Sequence, residues 1–225
     1  PRPGFYILSG SQHFLLHEKI SESLAGRAYL YTLLPFSLAE LKNAGLLSTE
    51  IHKQMMKGFY PKVYTPSINT ADYYDNYIAT YVERDVRTLK NIENMLTFRQ
   101  FMRLCALRIG TTINYTDLAT QCGISVATVK SWMTILEASF ILFLLPPYHH
   151  NLGKRLTKSP KLYFYDTGLA IALIGLSEEE LIKQRVLFGG LFENMLIIDL
   201  IKESNAKSGR RNFSFFRDSN QKEIN

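Results

Sequence analysis

The feature that most constrains the fold is the segment at residues 115–134, which reads YTDLATQCGISVATVKSWMT. Two helices that cross closely need a small residue at the crossing and a tight turn between them. Ala119 supplies the small residue, and Gly123 allows the turn because glycine adopts a positive φ without steric cost. The inward face shared by the two helices is predicted to consist of Leu118, Ile124, Val129 and Trp132. The segment therefore predicts a helix-turn-helix.

An apolar run follows this segment and predicts an added β-hairpin. Residues 140–145 read FILFLL, and Pro146 and Pro147 separate them from residues 148–151. A short apolar run bounded by prolines is typical of a strand that ends in a turn. We therefore predict a hairpin between 140–145 and 148–151, which makes this a winged variant of the helix-turn-helix.

The charge of the second helix bears on DNA binding. Its predicted outward positions carry a single charge, although readout of phosphates and bases usually uses several Arg or Lys side chains; they are Ser125, Val126, Ala127, Lys130, Ser131 and Thr134. More positive charge follows the predicted wing, and the whole chain has a net charge of +6. A solvated basic face explains such a charge equally well. DNA binding and a protein-binding or purely structural winged helix both stay open. The candidate nucleic-acid contacts are Ser125, Lys130, Ser131, Lys154 and Arg155.

The first 45 residues alternate between strand and helix patterns. Apolar runs at 5–8 and 28–34 predict strands, and helical spacing at 13–24 predicts a helix. A second helix is predicted from Ser37, because Glu40 lies three residues later, as a capping box requires. The order strand, helix, strand, helix fits the last part of an α/β domain with a parallel sheet.

Helical patterns dominate the rest of the chain. Residues 43–70 are rich in Gly, Pro and polar residues and predict a connector with a short helix inside. The patterns predict helices at 72–90, 96–109 and 187–202 and strands at 162–165 and 213–216. The tyrosines that recur at helical spacing are interpreted as a core or interdomain stripe rather than as base-stacking residues; they are Tyr73, Tyr74, Tyr77 and Tyr81.

Cysteine and histidine usage indicates no metal site. Cys105 and Cys122 have neither metal-type spacing nor a disulfide framework, which is typical of a reducing cytoplasm. His149 and His150 have no cysteine or carboxylate at ligand spacing. No signal peptide is visible, and the longest apolar run, 140–145, is too short to span a bilayer. We therefore expect a cytoplasmic protein with no membrane contact.

Six strings, in order along the chain, together resemble one family. They are ILSGSQ at 7–12, ESLAGR at 22–27, LLPFS at 33–37, YVERDV at 81–86, KLYFYDTGL at 161–169 and LFEN at 191–194. The family comprises bacterial and archaeal P-loop ATPases of the AAA type. Its members carry a C-terminal domain of unknown function, built from a winged helix and a restriction-endonuclease-like fold.

The resemblance implies that residues 7–12 are the sensor-1 strand and turn of the ATPase. In an α/β sheet, ligands lie beyond the carboxyl ends of the strands, where a hydroxyl or amide orients the water that attacks the γ-phosphate. Arg27 is expected to meet a phosphate, with a simple helix C-terminal cation as the alternative. The candidate nucleotide-binding residues are Ser9, Ser11, Gln12 and Arg27.

The phosphate-binding part of such an ATPase does not occur in this sequence. No G-x-x-x-x-G-K-[ST] loop is present, and no acidic strand end precedes the sensor strand to hold Mg²⁺. Family members carry both upstream of the position at which this chain begins. We therefore expect a longer protein that uses ATP and Mg²⁺, and we expect this chain alone to bind no cofactor and to hydrolyse no ATP.

The resemblance also implies a nuclease-like end. Restriction-type nucleases need two or three carboxylates and a lysine around Mg²⁺, which must be bound and must activate water. The first acid is placed at Glu193, for which a structural pair with Arg or Lys is the alternative. Relatives usually carry Asp where this chain has Asn225, and Glu223 and Asp218 are alternative acids. We expect a nuclease-like fold without nuclease activity in this chain.

These expectations define four parts of a mixed α/β, mostly helical chain. We predict the tail of a P-loop α/β domain at 1–45 and a helical connector at 46–90. A winged helix-turn-helix is predicted at 91–152 and a truncated restriction-endonuclease-like α/β domain at 153–225.

Three functions remain open from the sequence. The first is a fragment of an AAA-type ATPase that couples nucleotide state to the winged-helix and nuclease-like module. The others are a helix-turn-helix DNA-binding regulator and a Mg²⁺-dependent DNase. The expected partners are DNA, the P-loop region of the same protein and another copy of the protein.

Overall fold

The computed structural model describes residues 31–82, 92, 94–148, 159–206, 212–217 and 223–224. The chain divides into two compact units, residues 1–32 and residues 33–225. All described residues except 31 and 32 belong to the second unit, and the elements below are those of that unit.

The described elements are mostly helices. The helices are α1 (Leu38–Asn43), α2 (Ile51–Lys57), α3 (Thr70–Tyr77), α4 (Met95–Ala106), α5 (Tyr115–Cys122), α6 (Val126–Ala138), α7 (Thr167–Ile174), α8 (Glu178–Lys183) and α9 (Arg185–Ala206). The strands are β1 (Leu142–Leu145), β2 (Lys161–Phe164), β3 (Phe216–Arg217) and β4 (Glu223–Ile224). A 3₁₀ turn occupies Pro61–Tyr64, and a π-helical turn occupies Ile78–Val82. The predicted mixed α/β and mostly helical class is confirmed.

Helices α5 and α6 form the turn that the sequence predicts. Gly123 ends α5 in the left-handed region at φ 65°, and the Ser125 hydroxyl caps α6 by accepting from the Thr128 amide at 3.0 Å. Ala119 is 5% exposed, which fits its predicted place at a helix crossing. The four predicted inward residues pack in the core, Leu118, Val129 and Trp132 buried and Ile124 partly buried.

The strand after α6 pairs with a later partner than the sequence predicts. β1 is antiparallel to β2, with Leu142 opposite Phe164 and Leu145 opposite Lys161. Tyr148 lies outside any strand and is 53% exposed, and residues 149–151 lie outside the described part of the chain. Pro146 and Pro147 donate no backbone N–H to a ladder, whereas all four residues of β2 are buried, so β2 provides the better partner.

A third short segment lies against β2. The Gly110 amide donates to the Leu162 carbonyl at 2.8 Å, and the Leu162 amide donates to the Thr111 carbonyl at 3.0 Å. Thr112 forms an isolated antiparallel bridge with Lys161. The loop between α4 and α5 is thereby joined to the β1–β2 pair.

One large apolar core joins the helices to this small sheet. Helix α7 is apolar all round and lies at its centre, with Leu169, Ala170, Ile171 and Ile174 all buried. Helix α9 contributes Leu187, Leu191 and Met195 to the same core. A second, smaller cluster contains Leu145, Tyr163, Ile197 and Phe215.

Three predicted elements have different bounds in the described residues. Residues 31–34, predicted as the end of a strand, have no strand structure, and Leu33 is 98% exposed. A strand needs a neighbour to complete its hydrogen bonds, and an apolar run does not supply one. The helix predicted at 72–90 begins at Thr70, is α-helical to Tyr77 and π-helical from Ile78 to Val82; residues 83–90 lie outside the described part of the chain. The strand predicted at 213–216 begins at Phe216, as β3.

The helices of the described residues differ from membrane-spanning segments. None of these described helices combines the length and the apolar character that a bilayer crossing needs.

Candidate functional site

A buried carboxylate, Asp166, ties three segments of the chain together. It follows β2 and caps α7, where its Oδ1 accepts from the Leu169 amide at 2.8 Å. Oδ1 also accepts from the Tyr74 hydroxyl at 2.7 Å, and Oδ2 accepts from the Phe59 amide at 2.6 Å. Asp166 therefore fixes α3 and the turn after α2 against the start of α7.

Burial sets the protonation behaviour of this group. Asp166 is fully buried, and loss of water raises the pKa of its carboxyl. The hydrogen bonds from Tyr74, Leu169 and Phe59 and the positive charge of Lys202 oppose that rise, because they favour the carboxylate. Burial likewise raises the pKa of the Tyr74 hydroxyl well above its usual value. Tyr74 therefore stays protonated and serves as a hydrogen-bond donor.

Two glycines leave room for this contact. Gly58 has φ +71°, and a Cβ added there would overlap the Tyr74 hydroxyl oxygen and lie 2.5 Å from Oδ1 of Asp166. A Cβ added at Gly168 would also overlap the Tyr74 hydroxyl. The chain therefore approaches Asp166 and Tyr74 more closely than any residue with a side chain allows.

A buried cation, Lys202, reaches the segment before α1. Its Nζ donates to the Phe36 carbonyl at 2.8 Å and lies 4.2 Å from the centre of the Phe59 ring. Burial lowers the pKa of Lys202 to about 8, against the opposing effect of nearby carboxylates, which are Asp166, Asp199 and Glu40. Lys202 therefore contacts both a backbone carbonyl and an aromatic face at the C-terminal half of α9.

Asp199, one turn earlier on α9, holds the start of α1. Its Oδ1 accepts from the Leu38 amide at 2.7 Å, and partial burial raises the pKa of this carboxyl. The Phe36 amide donates to the Phe59 carbonyl at 3.0 Å. Ser37 caps α1 in the capping box that the sequence predicts. Residues 36–38 are thus fastened to α9 and to the turn that Asp166 also holds.

The first half of α9 contacts the sheet and the approach to the helix-turn-helix. Asn194 is buried and forms two hydrogen bonds with the Phe164 backbone, at 2.6 Å to its amide and 2.9 Å to its carbonyl. A Cβ added at Gly190 would lie 2.7 Å from the Ile109 carbonyl oxygen. Helix α9 therefore packs directly on the segment that connects α4 to α5.

Glu193, the first acid of the predicted nuclease site, forms an ion pair. Its Oε1 accepts from Lys161 Nζ at 3.2 Å and from the Tyr163 hydroxyl. Lys161 is 2% exposed, and its Nζ lies 5.4 Å from the centre of the Phe215 ring. A carboxylate and a lysine are thus adjacent. The backbone of Glu223 lies in β4, while Asn225 and Asp218 lie outside the described residues.

The predicted DNA-facing surface of α6 is partly exposed. Ser125 and Lys130 are exposed, with Lys130 Nζ 5.7 Å from the centre of the Tyr115 ring. Ser131 and Val126 are half-buried, and Val126, which was predicted to face outward, packs against the core. The remaining predicted contacts, Lys154 and Arg155, lie outside the described residues, as do the nucleotide-binding candidates Ser9, Ser11, Gln12 and Arg27.

Sequence reasoning assigned no role to Asp166, Asp199 or Lys202. Asp166 carried a local signal, because an aspartate between an apolar strand and an apolar run is typical of a helix N-cap. No local pattern marks Lys202 or Asp199, since their partners, Phe36 and Leu38, lie 166 and 161 residues away.

Comparison with known proteins divides the chain in two. A family described as a domain of unknown function, DUF8612, matches residues 48–180. A family described as an AAA domain matches residues 1–42. The expectation of an AAA-type fragment at the start of the chain is thereby confirmed. No solved structure matches.

Two relatives extend the similarity across both parts. They are the uncharacterized proteins Mb2031c of Mycobacterium bovis and Rv2008c of Mycobacterium tuberculosis. Each is 28% identical to this chain over 200 residues, which is 88% of this chain but 44% of the relative. The chain thus spans less than half the length of these relatives. Because the match at residues 48–180 covers more than half of the chain, this protein belongs to the DUF8612 family.

Proposed function

We propose that this chain is the coupling part of an AAA-type ATPase, in which nucleotide state controls a winged-helix and nuclease-like module. One observation carries the proposal. The AAA match ends at residue 42, and within it residues 36–38 are held by Lys202 and Asp199 of α9. A movement at the end of the AAA domain therefore acts on α9 directly.

Helix α9 is long enough to transmit a movement from residues 36–38 to the segment before α5. It runs through 22 residues without interruption. At a rise of 1.5 Å per residue, the twelve steps from Gly190 to Lys202 span about 18 Å. Its far half contacts β2 through Asn194 and the Ile109 carbonyl through Gly190. A packed helix shifts as a unit, so displacement at 36–38 reaches the start of α5.

The order of elements supports a winged helix as the controlled module. Helix α4 is followed by a segment paired with β2, then by α5, α6, β1 and β2. Antiparallel strands after the second helix of the turn correspond to the wing of that motif.

The nucleotide chemistry is proposed for the full-length protein. An AAA domain supports ATP and Mg²⁺ as its ligands, with Ser9, Ser11 and Gln12 as the sensor groups and Arg27 as a phosphate contact. These residues act only together with a phosphate-binding loop.

Amide hydrogen exchange of the full-length protein tests the coupling. We expect it to hydrolyse ATP, and we expect a nonhydrolysable ATP analogue to change exchange in residues 115–138. The change should disappear in Asp199→Ala, which removes the acceptor for the Leu38 amide. Glu179→Ala, which removes one partner of an exposed pair with Lys183, is the control and should keep it. Absence of ATP hydrolysis, or an exchange change that survives in Asp199→Ala, contradicts the proposal.

A DNA-binding regulator is the second candidate, supported by the exposed Ser125 and Lys130 on α6. Backbone contacts by cations make affinity fall steeply with salt. Salt-dependent binding of duplex DNA that is weakened in Lys130→Ala and Arg155→Ala supports this candidate. Unchanged DNA binding in both variants contradicts this candidate function.

A Mg²⁺-dependent DNase is the third candidate, supported by the Glu193 carboxylate beside Lys161. Cleavage of DNA by the full-length protein with Mg²⁺, lost in Glu193→Gln, supports it. The glutamine keeps the size of the side chain and removes its charge, so a loss of activity reports on the carboxylate. Cleavage that persists in Glu193→Gln excludes Glu193 as a metal ligand.

A further inference from the structure

We propose that Glu50, His52 and Glu178 bind a transition-metal ion, with Zn²⁺ as the best match. Within the described residues these three side chains form the one group of three whose ligand atoms all lie within 4.8 Å of one another. This inference is independent of the proposed function.

The geometry brings one imidazole nitrogen between two carboxylates. His52 Nε2 lies 2.9 Å from Oε1 of Glu178 and 3.2 Å from Oε2 of Glu50. An imidazole nitrogen carries at most one hydrogen, so it forms a full hydrogen bond with only one of them. Zn²⁺ binds nitrogen and oxygen at 2.0–2.2 Å, which separates tetrahedral ligand atoms by about 3.4 Å. The two distances from His52 Nε2 therefore need to lengthen by only about 0.2–0.5 Å to reach this separation, and the two carboxylate oxygens lie within 4.8 Å of each other.

The surroundings orient these ligands. Lys53 Nζ donates to Oε1 of Glu50 at 2.5 Å, which turns Oε2 toward His52. Ser177 caps α8 and so fixes the first residue of that helix, Glu178. Metal ligands are usually positioned by such outer contacts. The His52 side chain is 19% exposed and the glutamates about half, at 49% and 47%, which leaves the site open to solvent.

The ligand types favour zinc over magnesium. Imidazole suits Zn²⁺, Ni²⁺ and Cu²⁺, whereas Mg²⁺ prefers six oxygen ligands. Three protein ligands leave a fourth position for water or another group. Such an ion would join α2 to α8, which lie near the two ends of the matched region 48–180. It would thereby close a loop of more than a hundred residues, for which a cross-link restricts the unfolded chain strongly.

Titration calorimetry of the intact chain with ZnCl₂ tests the site. We expect one equivalent of Zn²⁺ to bind and to raise the melting temperature. Loss of a ligand in His52→Ala should weaken binding by at least ~10-fold, the scale seen even for outer contacts of metal sites. Glu178→Gln keeps the side-chain size and should weaken it as well. An excess of MgCl₂ should not displace the ion.

Glu179→Gln is the matched control, because Glu179 neighbours Glu178 but pairs with Lys183. It should bind Zn²⁺ as tightly as the wild type. Circular dichroism in the presence of EDTA checks that every variant is folded. The absence of Zn²⁺ binding by the wild type overturns the proposal, as does binding that is unchanged in folded His52→Ala and Glu178→Gln.

Discussion

Asp166 illustrates how a single charged side chain is accommodated inside an apolar core. An isolated carboxylate loses several kcal/mol of hydration when it is buried, and only donors aimed at it compensate. Here two backbone amides and the Tyr74 hydroxyl provide those donors. Each donor comes from a different segment, so the carboxylate specifies how three segments meet.

Tyr74→Phe should destabilise the protein by about 1–3 kcal/mol, since it removes one donor from a buried carboxylate without changing the ring. The Lys57 carbonyl lies 3.1 Å from the same hydroxyl, whose single hydrogen serves the shorter bond to Asp166 at 2.7 Å. Urea denaturation measures the change in the free energy of unfolding. Tyr73→Phe, in a half-buried neighbour on the same helix, is the control and should change it by less than about 0.5 kcal/mol. Equal effects of the two substitutions would argue against a special role for the Asp166 contact.

Gly58→Ala and Gly45→Ala form a second comparison. Both glycines have positive φ, +71° and +67°, so both alanines carry a backbone cost of about 1–2 kcal/mol. Only at Gly58 would the added Cβ also displace Tyr74 and Asp166; at Gly45 no atom lies within 4 Å. Gly58→Ala should therefore lower the melting temperature clearly further than Gly45→Ala. Similar shifts in the two variants would show that the close approach at Gly58 relaxes easily.

Helices and strands differ in how well the sequence predicted them. Local chemistry determines helices α1, α5 and α6, because the caps Ser37 and Ser125 and the turn glycine Gly123 lie within the elements or beside them. The partner of β1 depends on which distant strand is better buried, and nothing near residues 142–145 specifies that. Helix α7 was missed because it is apolar on every side, and a helix without a polar face has no periodic pattern.

In the candidate sites, too, features set by neighbouring residues were predictable and contacts with distant residues were not. Exposure of Ser125 and Lys130 was predictable from helical spacing. The contacts of Lys202 and Glu178 were not, because each of these residues meets a partner more than a hundred positions away.

Ser37→Ala tests α1, the helix at the end of the AAA match. The Ser37 hydroxyl accepts from the Glu40 amide at 3.2 Å, and loss of such a cap costs about 1 kcal/mol. Ser177→Ala removes the equivalent cap of α8 and serves for comparison. In hydrogen exchange, Ser37→Ala should increase exchange in 38–43 and leave 178–183 unchanged, and Ser177→Ala should do the reverse. Increased exchange in both helices for either variant would contradict independent capping.

At the scale of the whole molecule, Lys202 makes stability depend on pH. Its pKa is about 8 in the folded chain and 10.5 in an unfolded one, so between these values the unfolded chain binds more protons. Stability therefore rises with pH in this window, by up to ~1.4 kcal/mol per pH unit. Denaturation of wild type and Lys202→Met at pH 8 and pH 10 isolates this contribution, because other titrating groups are shared. The difference in unfolding free energy, wild type minus variant, should increase from pH 8 to pH 10. A constant difference would mean that folding does not lower the pKa of Lys202.

Helix α9 begins at residue 185, just beyond the region 48–180 that defines the family. Its side chains Leu187, Leu191 and Met195 nevertheless fill the core of that region. A fragment cut at residue 180 would lack α9, and the apolar side chains that α9 covers would be exposed to water. The smallest fragment suitable for purification extends through residue 206, because the family match ends before the helix that completes the core.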